Sequence, residues 1–206
     1  SIGDVTHRIQ ASELQDKGVL ANCHVNVLQT QDHPQFKTYA EELKWLTTDK
    51  VRMSWVAKTI KDISTSGNTL ILVDRISAGT ILQEQLEGSV FVSGSTKNID
   101  RKEQYDEVST ATNKIIIATY GVASVGINIP RIFNLVLIEP GKSFVRVIQS
   151  IGRGIRKAED KENVQIWDIT SSCKFAKRHL GARKKFYKEA NYPYNIEKVN
   201  YENPYT

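Results

Sequence analysis

The amino-acid sequence predicts an α/β fold, a parallel sheet with helices on both faces. Short runs that are apolar at nearly every position, such as Thr69-Leu70-Ile71-Leu72-Val73 and Leu135-Val136-Leu137-Ile138, alternate with segments of helical period. Strands that are apolar on both sides need cover on both sides, and a helix between successive strands lets them run parallel. With 206 residues, 40% hydrophobic and 25% charged, the chain can bury a core without disulfide or metal staples.

The opening block is poorly patterned, though Val19 to Leu28 can form a strand. From Phe36 to about Ser64 the pattern turns helical. Tyr39, Leu43 and Leu46 make one apolar stripe, and Val56, Ile60 and Ile63 another. Ser66-Gly67-Asn68 stops the helix, and the strand Thr69 to Val73 follows. Ser77 can cap a helix through about Leu86, and Val90-Phe91-Val92 is the next strand. Asn98 or Asp100 can start a helix that ends near Ser109. Lys114 to Thr119 is the third strand of this series, and Phe133 to Ile138 the fourth, closed by Pro140-Gly141. Ser143 to about Ile155 reads as a helix and Val164 to Ile169 as a final strand. The stretch from Asn191 to Thr206, with Pro193 and Pro204, reads as an extended or frayed end.

Composition narrows the function classes. The formal net charge is +5. No apolar run is long enough to span a bilayer, so no membrane partner is expected. No charged segment with an apolar run opens the chain, so no secretory leader is expected either. Cys23 and Cys173 are too few for a disulfide framework, which fits a reducing, intracellular compartment. The chain starts at Ser1 and its one methionine is Met53, which reads as a piece of a longer protein or a processed product. His7, His24, His33 and His179 lack metal-ligand spacing with the cysteines and read as structural or exposed. Trp45, Trp55 and Trp167 fall in helical or strand patterns and read as core.

In parallel sheets, ligands sit at the carboxyl ends of the strands. Gln149, Gly152, Arg153 and Arg156 stand at offsets 0, 3, 4 and 7, one face of a helix. Two guanidiniums beside an amide suit a polyanion with planar oxygens. The alternative is a solvated basic helix end, against which Gly152 weighs, since a mid-helix glycine costs about 1 kcal/mol. The segment from Ala118 to Pro130 leaves a strand with the Thr119 hydroxyl, turns at Gly121, and reaches a small-residue loop with Gly126 and Asn128. It reads either as a phosphate-binding loop or as a connection without a ligand. Residues 174–188, KFAKRHLGARKKFYK, hold seven positive charges and no acid, with Phe175, Phe186 and Tyr187 interleaved. Basic plus aromatic residues suit a nucleic acid. They equally suit an amphipathic helix whose aromatics pack on the domain. Both can hold.

Together these segments resemble a known family. Gln149-x-x-Gly152-Arg153-x-x-Arg156 resembles motif VI of superfamily 2 helicases and translocases, and Thr119 to Pro130 resembles their motif V. Leu70-Ile71-Leu72-Val73-Asp74-Arg75 is similar to motif IV. Val92-Ser93-Gly94 followed by Arg101 resembles the next nucleic-acid-contacting stretch. The phrasing Tyr120 to Ile127 is similar to the UvsW type of phage recombination helicase. The resemblance covers about Thr69 to Ile169, roughly half the chain.

The resemblance implies the second of two RecA-like domains, to which the charge pattern adds a basic C-terminal helical tail. The expected organisation is a connecting segment at 1–34, a RecA-like helicase C-terminal domain at 35–170, and a basic helical and extended tail at 171–206. Arg156 would be the arginine finger on the γ-phosphate of ATP, with Arg153 beside it and Gln149 positioning both. Gly126, Asn128 and Gly152 would lie at the nucleotide. Thr119, Ser93, Gly94, Arg101 and Arg75 would hold the nucleic-acid backbone, and the tail's own charge pattern adds Lys184 and Lys185. Asn128 stands where many relatives have Asp, which removes a charge from that contact. The sequence has no Gly-x-x-x-x-Gly-Lys-Ser/Thr loop and no Asp-Glu-x-His or Asp-Glu-x-Asp box. The phosphate cradle and Mg2+ site are therefore expected on an N-terminal RecA-like domain of the same protein, and this chain alone is expected to be inactive. The implied function is an ATP-dependent helicase or translocase on branched DNA, in a phage-infected or bacterial cell. The competing readings are a non-catalytic nucleic-acid-binding module of the same fold and an unrelated doubly wound enzyme.

Overall fold

The computed structural model describes residues 23–92, 113–125, 132–141, 144–145, 147–149 and 163–201. In chain order these form β1 (Cys23–Thr30), α1 (Tyr39–Thr48), α2 (Lys50–Ser64), β2 (Thr69–Val73), α3 (Ile76–Gln85), β3 (Val90–Val92), β4 (Ile115–Thr119), α4 (Tyr120–Ser124), β5 (Asn134–Ile138), β6 (Val164–Ser171), α5 (Lys174–Glu189) and β7 (Tyr194–Val199). The strands make one sheet in the order β3-β4-β2-β5-β6-β1-β7. Every neighbouring pair is parallel.

Alternation along each strand divides the core in two. Leu70 and Leu72 of β2 enter one cluster, with Leu180, Phe186 and Tyr187 of α5 and Phe144, Val147 and Ile148. Ile71 and Val73 enter the other, with Met53, Val56, Ala57 and Ile60 of α2 and Ala78 and Leu82 of α3. The sheet is thus covered on both faces. Gly79 of α3 sits so close to β3 that a Cβ there would lie 2.3 Å from the Phe91 ring.

Four local expectations are corrected. The helical stretch 36–64 is two helices, because Asp49 ends one and starts the next. Its N–H donates to the Trp45 carbonyl, and its carboxylate accepts from Arg52 N at 3.0 Å. Arg75, not Ser77, occupies the N-cap position of α3, with no side-chain cap bond. Gly121 is not a turn: it lies inside α4, which Thr119 caps by accepting from Val122 N at 3.3 Å. The strand β6 is not the last, because β7 pairs with β1 from Val25↔Tyr194 to Thr30↔Val199. The expected helix between Asn98 and Ser109 lies outside the described residues.

Two buried ionic webs fasten the elements. Arg52 of α2 is fully buried and donates from Nε to Thr30 Oγ1 at 3.1 Å, and from Nη2 to Glu139 Oε1 at 2.5 Å. Asp32 stands 3.7 Å from its Nε and accepts hydrogen bonds from Thr30, Ser171 and Tyr201. In the second web, Arg183 of α5 holds Asp168 of β6 and donates from Nη1 to the Pro140 carbonyl at 2.7 Å. Tyr187 donates its hydroxyl to Asp168 at 2.7 Å. A third contact docks α1 on α5: both Glu42 carboxylate oxygens accept from the first free N–H groups of α5, Phe175 N at 2.9 Å and Ala176 N at 2.8 Å.

Candidate functional site

The carboxyl ends of β2, β4 and β5 lie side by side, because Val73 pairs with Thr119 and Leu72 with Leu137. This register brings two expected site residues together. Thr119 ends β4 half-exposed. Its hydroxyl oxygen accepts from the first turn of α4, which leaves the O–H as a donor. Arg75 stands two residues beyond Val73, with its side chain 38% exposed and its Nε donating to Asp74 Oδ2 at 2.8 Å. Gln149 is helical and half-buried, next to the core residues Val147 and Ile148. Ser93, Gly94, Arg101, Gly126, Asn128, Gly152, Arg153 and Arg156 lie outside the described residues.

The basic tail segment is a helix with two unlike faces. Lys174, Lys177, Arg178, Lys185 and Lys188 are exposed, at offsets 0, 3, 4, 11 and 14 along one side of α5. Lys184 is half-buried. Phe186 and Tyr187 are buried in the core and cannot stack on a ligand, and Arg183 is 1% exposed and neutralised by Asp168. Only Phe175 of the interleaved aromatics stays near the surface, flanked by Lys174 and Arg178 over its ring.

Beside Thr119 and Arg75 opens a cleft of about 760 Å³, lined by Tyr39, Asp74, Tyr120, Glu139, Phe175 and Arg178, among others. Tyr120 donates to the Ile138 carbonyl at 3.0 Å. Burial pushes the Tyr39 phenol up, and the carboxylates of Asp74 and Glu139 add to the shift. Burial also holds the Glu139 carboxyl up at about 7, against the lowering influence of Arg52 and Arg183. Glu139 has a positive φ of 44°, and the chain turns there from β5 toward Pro140. Sequence reasoning missed this residue and its partner Arg52. A signal existed: Arg52 stands four residues before Val56 and eight before Ile60, a charge on the apolar stripe of α2.

Burial pushes the Cys23 thiol up to about 12 and the Cys173 thiol up to about 11, so neither is a ready nucleophile. Among the described residues, no three His, Cys, Asp or Glu side chains are grouped to hold a metal ion. No described helix is long and apolar enough to cross a membrane. The three tryptophans are half-buried against the core clusters, in keeping with the sequence.

Comparison with known proteins gives this arrangement a context. The family described as "Helicase conserved C-terminal domain" matches residues 52–158. The chain is 27% identical over 195 residues to "ATP-dependent DNA helicase uvsW" of Enterobacteria phage T4, covering 89% of this chain and 39% of that protein. It is 32% identical over 104 residues to "Putative helicase 22" of a Sulfolobus islandicus filamentous virus, covering 48% of this chain and 18% of that one. The chain therefore spans well under half of either relative. Among solved structures, T4 UvsW superposes with a TM-score of 0.73 at 23% identity, over 86% of this chain and 42% of that chain. The C-terminal domain of the DEAD-box protein Dbp5 superposes with a TM-score of 0.57 at 19% identity, over 89% of this chain and 92% of that one. The shared fold is the RecA-like one.

Proposed function

The chain belongs to the helicase conserved C-terminal domain family, and from that premise we propose that it is the second motor domain of an ATP-dependent DNA helicase or translocase. Its substrate is branched DNA handled in recombination, repair or replication restart, in a phage-infected or bacterial cell. The domain assigned to residues 35–170 includes β2 to β5 and most of β6, with β1 and β7 adding strands to the same sheet and α5 packing on its core. The observation that supports the reading most is the likeness to the T4 helicase along 89% of the chain.

In this reading Arg156 meets the γ-phosphate of ATP, Arg153 stands beside it, and Gln149 orients the pair. Gly126, Asn128 and Gly152 border the nucleotide. The phosphate loop and the Mg2+ ligands come from an N-terminal RecA-like domain, in keeping with their absence from this sequence. Bound there, the metal ion would neutralise phosphate charge. Thr119 offers its O–H, and Arg75 its outer guanidinium nitrogens, to the phosphates of one strand. Ser93, Gly94 and Arg101 extend that track. Lys184, Lys185 and the other outward cations of α5 add charge for the DNA backbone.

The test is DNA-stimulated ATP hydrolysis by the intact protein. Arg156→Ala is expected to lower turnover by about 10³–10⁵, with Arg153→Ala also impaired. The 206-residue chain alone is expected to show no appreciable turnover. Full activity of the Arg156→Ala protein, or steady hydrolysis by the chain alone that this change abolishes, would overturn the assignment.

A further inference from the structure

The cleft beside β2, β4 and β5 is bordered by flat groups. Tyr39 of α1 meets His179 edge-on, with ring centroids 4.8 Å apart, and lies 6.3 Å from the Phe175 ring. The Arg178 guanidinium carbon sits 5.6 Å from the centre of Phe175, so a planar cation backed by a ring forms one rim. Asp74 supplies an acceptor. Its Oδ2 is taken by Arg75, but its Oδ1 is buried and accepts no hydrogen bond among the described residues. A buried acceptor without a donor is costly, so a ligand N–H placed there is favoured. Outside the cleft, the exposed α5 cations Lys174 and Lys177 favour an anionic ligand.

We propose that this cleft takes an unpaired nucleobase, stacked on the Arg178 guanidinium with an N–H directed at Asp74, while the α5 cations hold the adjoining phosphates. This inference rests on the nucleic-acid function proposed above. A volume of about 760 Å³ accommodates a base and its sugar. The Watson–Crick N–H groups of a paired base are spent inside the duplex, so Asp74 selects a base that has left its partner. Stacking on a guanidinium or aromatic plane accepts any base, so the site reads unpairing more than sequence. Arg178 is the element that only a plane can satisfy: Lys keeps the charge and loses the stacking surface.

The experiment compares binding of the 206-residue chain to an oligo(dA) dodecamer and to a dodecamer of abasic sugar-phosphate, at one modest salt concentration. The base-bearing strand is expected to bind about tenfold more tightly. Arg178→Lys and Phe175→Leu are expected to erase that difference, with circular dichroism reporting on their folding. Equal binding of the two strands by the unaltered chain would overturn the base site and leave the phosphate contacts standing. A base preference that survives in both variants would likewise overturn it. Binding of neither strand would count against the nucleic-acid reading itself.

Discussion

Arg183 closes on both carboxylate oxygens of Asp168, with Nε 2.7 Å from Oδ2 and Nη2 2.9 Å from Oδ1, and neither side chain is more than 1% exposed. A charge taken this deep is tolerable only while its partner stays. Asp168 and the hydrogen bond between them favour the charged guanidinium, and Arg183 remains protonated despite its burial.

Arg183→Ala is therefore expected to lower the unfolding free energy by about 3–5 kcal/mol. Lys185→Ala, two residues along on the exposed face, is expected to stay within about 0.5 kcal/mol. Urea denaturation of both variants checks this. Equal losses would mean that Arg183 is not the anchor described.

Glu139 makes stability depend on pH. Its folded pKa of about 7 lies above the ordinary 4.5, mainly because burial disfavours the carboxylate. The folded state then binds more protons than the unfolded state between these two values, so this group stabilises at low pH and its contribution is lost as pH rises through about 7. The loss is of order 3 kcal/mol. Glu139→Gln cannot titrate, so its stability relative to the unaltered chain is expected to rise from pH 5 to pH 8. Thermal melts across that range read the difference, and parallel curves would refute it.

Gly79 is a site where a better helix former should do harm. Alanine favours a helix by about 1 kcal/mol over glycine, yet its Cβ would lie 2.3 Å from the Phe91 ring. Overpacking of this kind costs about 1–3 kcal/mol. Gly79→Ala is expected to be destabilised, and Phe91→Leu in the same chain to recover most of the loss. Melting temperatures of the single and double variants decide it.

The outward charges of α5 should be visible in salt titrations. Each phosphate neutralised on duplex DNA contributes about −0.9 to the slope of log K against log salt. Changing Lys185 and Lys188 to Gln is expected to flatten the slope by up to about two. An unaltered slope would remove this helix from the DNA contacts.

The sheet was legible in the sequence where strands lie between two helical layers. Thr69–Val73 is apolar enough to be read to the residue, and it is buried throughout. The strand β7 was not legible because it lies at an edge, and its Asn195, Glu197 and Lys198 keep their charges and amides in water. The break at Asp49 was hidden inside one helical period. At the site, the neighbourhood of Thr119 and Arg75 follows from strand register, but the cleft does not. Tyr39, Asp74 and Phe175 are far apart in sequence, and Tyr39 reaches Phe175 where Glu42 seats α1 on the start of α5. Nor does the sequence distinguish Arg183 from the five cations around it that face solvent.

The placement of β1 also governs the order in which this domain can be completed. Its hydrogen-bonding partners are β6 and β7, and Asn26 reaches Ile166 across 140 residues. During synthesis, β1 emerges ahead of the rest of its sheet and then waits for β6 and β7 before it has neighbours. Until then it exposes Val25 and Val27, which are fully buried at the end. Non-local closures of this kind slow folding and leave a sticky intermediate. A nascent chain stalled before residue 164 should therefore be a preferred client of chaperones, while emergence of β6 and β7 should end that dependence.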